Sequence, residues 1–108
     1  MKKPTFFEFR EIFLEEFARL SGKPAREAAC TGWSEGLEEN VRKSLLESVK
    51  NRLSERSEVA YEVNDRLLKA PGTVESAVVQ AFHELNTIWL MERINEKIRA
   101  KRRQLMEN

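Results

Sequence analysis

His83 is followed directly by Glu84, a pair of side chains that could transfer protons in acid–base catalysis. The sequence holds no second histidine, no carboxylate four residues after His83 and no cysteine close to it. A metal site cannot be completed from these residue types at this spacing. We therefore interpret His83 as part of a polar helix strip that faces solvent.

Cys30 is the single cysteine, so the sequence contains neither an internal disulfide nor a CxxC pair. It lies in an alanine-rich segment that we expect to form a tightly packed helix, which favours a buried, unreactive thiol over a nucleophile. A glycine-rich phosphate-binding loop is also missing from the sequence. These patterns predict a non-enzymatic protein that uses no cofactor, no metal and no small-molecule substrate.

A basic segment covers residues 97–103, KIRAKRR, with five cations and no anion. Such a segment could neutralise a nucleic-acid backbone or contact an acidic surface on another protein. Equally, cations near the C-terminus of a helix interact favourably with its dipole and keep that end solvated. The formal net charge is only +1, so nucleic-acid binding would depend on this local distribution. The cations are Lys97, Arg99, Lys101, Arg102 and Arg103.

The stretch from residue 74 to residue 91 is apolar with helical periodicity and carries only two formal charges. Its core-facing side chains are Val74, Val78, Ala81, Phe82, Leu85, Ile88 and Trp89. From Met91 onward an apolar stripe appears on the opposite face of the helix, and we call it the second stripe. A chain of 108 residues has little material left to cover both faces, so we predict that self-association buries the second stripe. The predicted homo-oligomer interface is Met91, Ile94, Ile98 and Leu105.

The composition favours an all-α fold, since 34% of the residues are charged, 41% are apolar, and only four are Gly and three Pro. Thr5 and Glu8 have the spacing of a capping box, and phenylalanines then recur at three and four residues as far as a stop at Ser21-Gly22. This pattern predicts a first helix over residues 6 to 20 whose aromatic face is core.

A second, short helix is predicted from Pro24 to Cys30, and a long third helix from its N-cap at Ser34 to about residue 69, with a possible kink near 54 to 57. Ala70-Pro71-Gly72 must break this helix, and Thr73 caps the next one. We therefore predict a small helix-turn-helix-like head, residues 1 to 46, followed by a long antiparallel helical hairpin, residues 47 to 108. The third helix crosses this boundary, and the molecule should be elongated.

Residues 12 to 46 contain paired alanines, Ala28 and Ala29, then the turn Gly32-Trp33-Ser34 and a closing Leu45-Leu46. Small residues allow close helix crossing, Gly32 frees the turn, Trp33 fills the corner and Ser34 caps the next helix. This stretch resembles the N-terminal helix-turn-helix of phage small terminase subunits, with Trp33 where that family has Tyr. The resemblance covers about a third of the chain.

The resemblance implies a head that recognises viral DNA, a helical hairpin that assembles subunits into a ring, and a tail that engages the packaging machinery. The partners it implies are duplex DNA, further copies of the chain, and a large terminase or other protein. Candidate DNA contacts in this head are Lys23, Arg26, Asn40, Arg42 and Lys43. Against DNA binding, Glu35, Glu38 and Glu39 place three carboxylates at the start of the helix that would read the bases.

The alternative interpretation is a small helical adaptor or regulator that binds another protein and no nucleic acid. The absence of a signal-like N-terminal segment and of cysteine pairs predicts a cytoplasmic location, in the host cytoplasm if the protein is viral. No apolar run approaches the roughly 20 residues that cross a bilayer, so no membrane partner is expected.

Overall fold

The computed structural model of the chain describes residues 4–54 and 65–107. These residues contain helices and no strand, which confirms the predicted all-α class. The fold is elongated, with principal extents of 60 × 23 × 19 Å, as expected. In chain order the helices are α1 (Phe6–Ser21), α2 (Ala25–Ala28), α3 (Trp33–Gly36), α4 (Glu39–Ser54), α5 (Asp65–Leu68) and α6 (Val74–Glu107).

The first helix begins and ends where the sequence predicts. The Thr5 hydroxyl accepts a hydrogen bond from the backbone N–H of Glu8, at 3.1 Å, and so caps the N-terminus of α1. Gly22 ends the helix in the left-handed conformation, with φ 73°, and donates its N–H to the carbonyl of Ala18. Between these caps, Phe9, Phe13 and Phe17 are fully buried, which confirms the aromatic core face.

Two local predictions in the turn after α1 are wrong. Helix α2 ends at Ala28, so Cys30 lies in the following turn and is exposed instead of buried. Ser34 is not an N-cap, because α3 already begins at Trp33 with Gly32 in the capping position. The reason is a tertiary contact: the N–H of Trp33 donates to the carbonyl of Gly72, at 3.0 Å, which fixes the backbone before the helix starts.

The predicted third helix, 34 to 69, is interrupted within the described residues. Leu37 is extended, with φ −144° and ψ 147°, and separates the single turn of α3 from α4. Its side chain is buried, so the break turns Leu37 into the core. The expected kink near 54 to 57 falls almost wholly outside the described residues, and the chain is described again from α5.

Helix α6 has 34 residues and is about 51 Å long, which confirms the long C-terminal helix. Thr73 caps it as predicted, accepting from the N–H of Ser76 at 3.2 Å. Its N-terminal half packs mainly on α1 and α5, while α4 packs mainly on α1. The two arms of the predicted hairpin therefore share α1 as a common packing partner. Val74, Ala77, Val78, Ala81 and Leu85 are buried, and Phe82, Ile88 and Trp89 pack partly buried against the same core.

Ion pairs connect α1 to both long helices. Nε of Arg10 donates to both carboxylate oxygens of Glu75 in α6, at 3.0 and 2.9 Å. At the other end of α1, Arg52 of α4 donates to Glu15 at 2.9 Å and to Glu16 at 3.3 Å. The hydrogen bond that Arg52 donates to Glu15 is the main cause that raises the pKa of Arg52 above its ordinary value. These pairs link α1 to both of its neighbours.

Candidate assembly and nucleic-acid surfaces

The corner of the head is built around the indole of Trp33, which is fully buried as predicted. Its ring lies 5.5 Å from that of Phe13 and 6.3 Å from that of Phe17, centroid to centroid. Its Nε1 donates to the carbonyl of Leu67, at 2.6 Å, so the polar edge of the ring is satisfied inside the core. Trp33 therefore joins α1 to the α5 segment, more than thirty residues further along the chain.

A backbone clamp holds the same corner to the start of α6. The N–H of Val74 donates to the carbonyl of Thr31 at 2.7 Å, and the N–H of Glu75 donates to that of Ala29 at 3.1 Å. Gly32 and Thr73 form an isolated antiparallel bridge between these two segments. The sequence analysis missed this clamp, because backbone hydrogen bonds leave no pattern of residue types to detect.

Gly32 does not have the role that the sequence suggested. Its φ of −61° and ψ of 132° are open to any residue, so the turn does not need glycine at this position. The glycine that the corner requires is Gly36: a Cβ there would lie 2.8 Å from both Cζ of Phe17 and Cγ2 of Thr31. Close packing, and not a left-handed backbone, explains this glycine.

The predicted DNA contacts of the head do not share one environment. Lys23, Asn40 and Lys43 are exposed, and Arg26 lines a shallow groove together with Arg10, Glu11 and Glu15 of α1. A cation in such a mixed-charge groove is partly compensated by the neighbouring carboxylates. Arg26 therefore offers less net positive charge to a phosphate than an isolated exposed cation would.

Arg42 differs from the other four candidates because it is only 7% exposed. Its Nη1 donates to the carbonyl of Leu37 at 3.3 Å, and its guanidinium carbon lies 5.9 Å from the centroid of the Trp33 ring. Its Nε is buried with no hydrogen-bond partner among the described residues. A guanidinium held in this way supports the extended break at Leu37 and is poorly placed to reach a phosphate.

Three carboxylates near the start of α4 lie at the surface. Glu35, Glu38 and Glu39 are all exposed beside the start of α4. Negative side chains at a helix N-terminus interact favourably with its dipole, but they repel an approaching phosphate. The surface that a recognition helix would present is therefore less favourable for DNA than the cation count suggests.

The second stripe is exposed on α6, as the sequence analysis expected. The exposed fractions are 53% for Met91, 42% for Ile94, 46% for Ile98 and 71% for Leu105. Leu90 is also exposed, and it could have been found from the sequence because it precedes Ile94 by four residues on the same face. Solvent-exposed apolar side chains along one helix are a candidate protein–protein surface.

The basic segment lies beside the second stripe on the same half of α6. Lys97, Arg99, Lys101, Arg102 and Arg103 are all exposed. In the last five turns of α6, which extend away from the head, exposed cations and exposed apolar side chains are interspersed. This arrangement can serve an assembly contact and an electrostatic contact at the same time.

Neither membrane insertion nor metal binding is indicated in the described ranges. No helix there has the length and apolar content needed to cross a bilayer. Residues 4–54 and 65–107 also bring together no group of three or more His, Cys, Asp or Glu side chains that could hold a metal ion. His83 is exposed on α6 and is not part of such a group.

The chain was compared with models of known protein families, with curated proteins and with solved structures, and none of the three comparisons gave a match.

Proposed function

We propose that the protein is a non-enzymatic, self-assembling DNA-recognition or packaging protein, similar in type to a phage small terminase subunit. The observation that carries this proposal is the division of α6 into two halves. Its first half is held in the core of a small helical head, and its second half presents the second stripe and the basic segment to solvent. Burying each such apolar side chain contributes about 1.5–3 kcal/mol, which favours association of subunits.

DNA binding by this protein would rely mainly on the basic segment. Its five cations are exposed, whereas the head offers Lys23, Arg26 and Lys43, also exposes Glu35, Glu38 and Glu39, and retains Arg42 in its interior. In an assembly of several copies, more than one basic segment can contact the same duplex, so the positive charge available to DNA is greater than that of one chain. Assembly and DNA affinity are therefore coupled in this proposal.

The second candidate function is a helical adaptor that binds another protein and no nucleic acid. The burial of Arg42 and the exposure of Glu38 and Glu39 favour it, since both weaken the head as a DNA reader. In this case the second stripe receives a helix of the partner protein, and the basic segment contacts acidic side chains on it.

Two measurements on the intact chain distinguish the two functions. Light scattering gives the molar mass, and a duplex-binding titration at several salt concentrations gives the number of phosphate contacts. The packaging function predicts a mass of several subunits and an affinity that falls steeply with salt. A monomer that binds no duplex at low salt would instead support the adaptor.

Charge variants then locate the DNA contact. Replacing Arg99, Arg102 and Arg103 with alanine should reduce the salt slope by up to about three units, because each lost phosphate contact releases about one counterion fewer. Lys69→Ala, an exposed cation outside the basic segment, is the matched control and should leave the slope unchanged. Equal slopes for all variants would contradict DNA binding through the basic segment.

A further inference from the structure

The second stripe has the spacing of a coiled-coil seam. Met91, Ile94, Ile98 and Leu105 follow one another at three, four and seven residues, and Lys101 occupies the position between the last two. Alternating steps of three and four are those of heptad a and d positions. Met91, Ile98 and Leu105 then take the a positions, and Ile94 and Lys101 take the d positions.

This part of α6 has no packing partner within the described part of the chain. Every described residue after Leu85 is at least partly exposed. From Leu90 to Glu107 the helix extends about 27 Å at 1.5 Å per residue. Its apolar side chains gain no burial within the described chain, so a partner along the seam would stabilise this half of α6.

We propose that the occupant of the seam is the same half of α6 from a second copy of the chain, running antiparallel. This inference rests on the self-association proposed above and adds its direction and register. Ile94 of each chain lies opposite Ile98 of the other, so that two isoleucine layers form the centre of the contact. On either side, Met91 lies opposite Lys101 of the second copy.

Charge decides between the two directions. In a parallel pair, residues 97–103 would lie beside themselves, with five cations and no anion on each helix, and Lys101 would face Lys101 in the seam. In the antiparallel register the same residues face 89–95, which hold one anion, Glu92, and one cation, Arg93. Like charges held side by side are destabilising, so the antiparallel pair is favoured.

Lys101 is compatible with the antiparallel seam and sets its register. Its long apolar stem can cover Met91 of the other chain while the ammonium group remains in water. A single lysine among the core positions of a coiled coil disfavours registers that bury its charge. The contact has two-fold symmetry and is closed, so any larger assembly would use pairs as its units and need a second surface.

Single-cysteine variants test the direction. In a Cys30→Ser background, Ile94→Cys and Ile98→Cys are prepared separately and mixed under oxidising conditions. The antiparallel pair predicts a disulfide-linked dimer in the mixture and none in either variant alone, because the two sulfurs must lie within bonding distance. Disulfide dimers formed by each variant alone would show a parallel pair and overturn the inference.

Spin labels outside the seam give an independent measurement. In the same background, labels at Gln104→Cys should be separated by about 24 Å along the antiparallel pair, since each lies opposite residue 88 of the other chain. Labels at Asn95→Cys, near the centre of the register, should lie within about 10 Å in either direction and serve as the control. Short distances for both labels would contradict the antiparallel arrangement.

Light scattering on each variant separates the two levels of proposal. A monomeric mass for the chain with its native isoleucines at micromolar concentration would refute self-association itself, and with it the antiparallel pair. An assembled mass with parallel cross-links would refute only the direction and register. Three results together would support both self-association and the antiparallel pair. They are an assembled mass in the mixture, cross-links only between Ile94→Cys and Ile98→Cys, and a longer distance for the Gln104→Cys labels than for the Asn95→Cys labels.

Discussion

At the scale of single residues, Trp33 links α1 to the α5 segment. It is fully buried, and it contacts Phe13, Phe17 and the carbonyl of Leu67. Trp33→Ala should destabilise the fold by about 3–5 kcal/mol, because it leaves a large cavity in the core. Thermal or urea denaturation followed by circular dichroism measures the change.

Trp33→Phe is the control for this prediction. It retains much of the aromatic packing but removes the donor to Leu67, so it should cost about 1–3 kcal/mol for a buried carbonyl left without its partner. A melting temperature that stays unchanged in Trp33→Ala would contradict the role of Trp33 in the corner.

Arg42 and Lys43 are adjacent residues with opposite environments. Arg42 is buried against Trp33 and donates to Leu37, whereas Lys43 is exposed. We predict that Arg42→Ala lowers the free energy of unfolding by about 1–3 kcal/mol, through lost packing and an unpaired carbonyl. Lys43→Ala, the matched control, should change it by less than about 0.5 kcal/mol.

Denaturation of the two alanine variants side by side checks this difference. Duplex binding by the folded Arg42→Ala protein should match that of the intact chain, because Arg42 is only 7% exposed and its guanidinium is held against Trp33 and Leu37. Equal stability of both variants, or a loss of DNA affinity specific to Arg42→Ala, would show that Arg42 acts outside the core.

At the scale of elements, α1 and α3 can pack closely because Gly36 has no side chain. A Cβ there would approach Phe17 and Thr31 to 2.8 Å, so Gly36→Ala should cost about 1–3 kcal/mol as the two segments are forced apart. At Gly32 the tightest contact of a Cβ would be with the flexible carboxylate tip of Glu35, at 3.0 Å, and the Cβ of Glu35 would lie at 3.4 Å. Gly32→Ala should therefore be nearly neutral, and denaturation midpoints of the two variants test the difference.

The opposite ranking of the two stability losses would contradict this explanation. A larger loss in Gly32→Ala than in Gly36→Ala would mean that the bridge between Gly32 and Thr73 is more sensitive to substitution than the α1–α3 contact. The clamp between the corner and α6 would then be the element that limits stability.

At the scale of the whole molecule, the two faces of α6 should respond differently to the same kind of substitution. Ile94 and Ile98 are 42% and 46% exposed, while Leu85 is 1% exposed. Replacing Ile94 and Ile98 together with aspartate should dissociate the assembly and preserve most helicity, since the head does not use these side chains. Leu85→Asp buries an unpaired charge and should unfold the protomer.

Light scattering and circular dichroism on these variants provide the measurement. A double aspartate variant that keeps the molar mass of the intact assembly would show that the second stripe is not the contact between subunits. Loss of helicity equal to that of Leu85→Asp would show instead that the second stripe supports the protomer.

The local predictions succeeded where short-range chemistry is decisive. Capping by Thr5 and Thr73, the stop at Gly22 and the buried phenylalanines of α1 all follow from residue types within one or two helical turns. The two faces of α6 were also predictable, because helical periodicity places side chains three and four residues apart on one face. For the same reason, the all-α class and the exposure of the second stripe were available from the sequence.

Only the tertiary structure decided the corner of the head. Trp33 begins a helical turn where backbone groups of residues 29 to 33 pair with residues 72 to 75, and the turn ends where Leu37 becomes extended and enters the core. Ser34 was predicted as an N-cap and Cys30 as a buried thiol from the residue types beside them in the sequence. Neither prediction could take into account the backbone pairing with residues 72 to 75. Arg42 was predicted to contact DNA as one of the cations of the head, yet Trp33 and Leu37 hold it in the interior. Hydrogen bonds and burial between segments forty residues apart depend on how the helices pack, and that packing leaves no signature in local residue types.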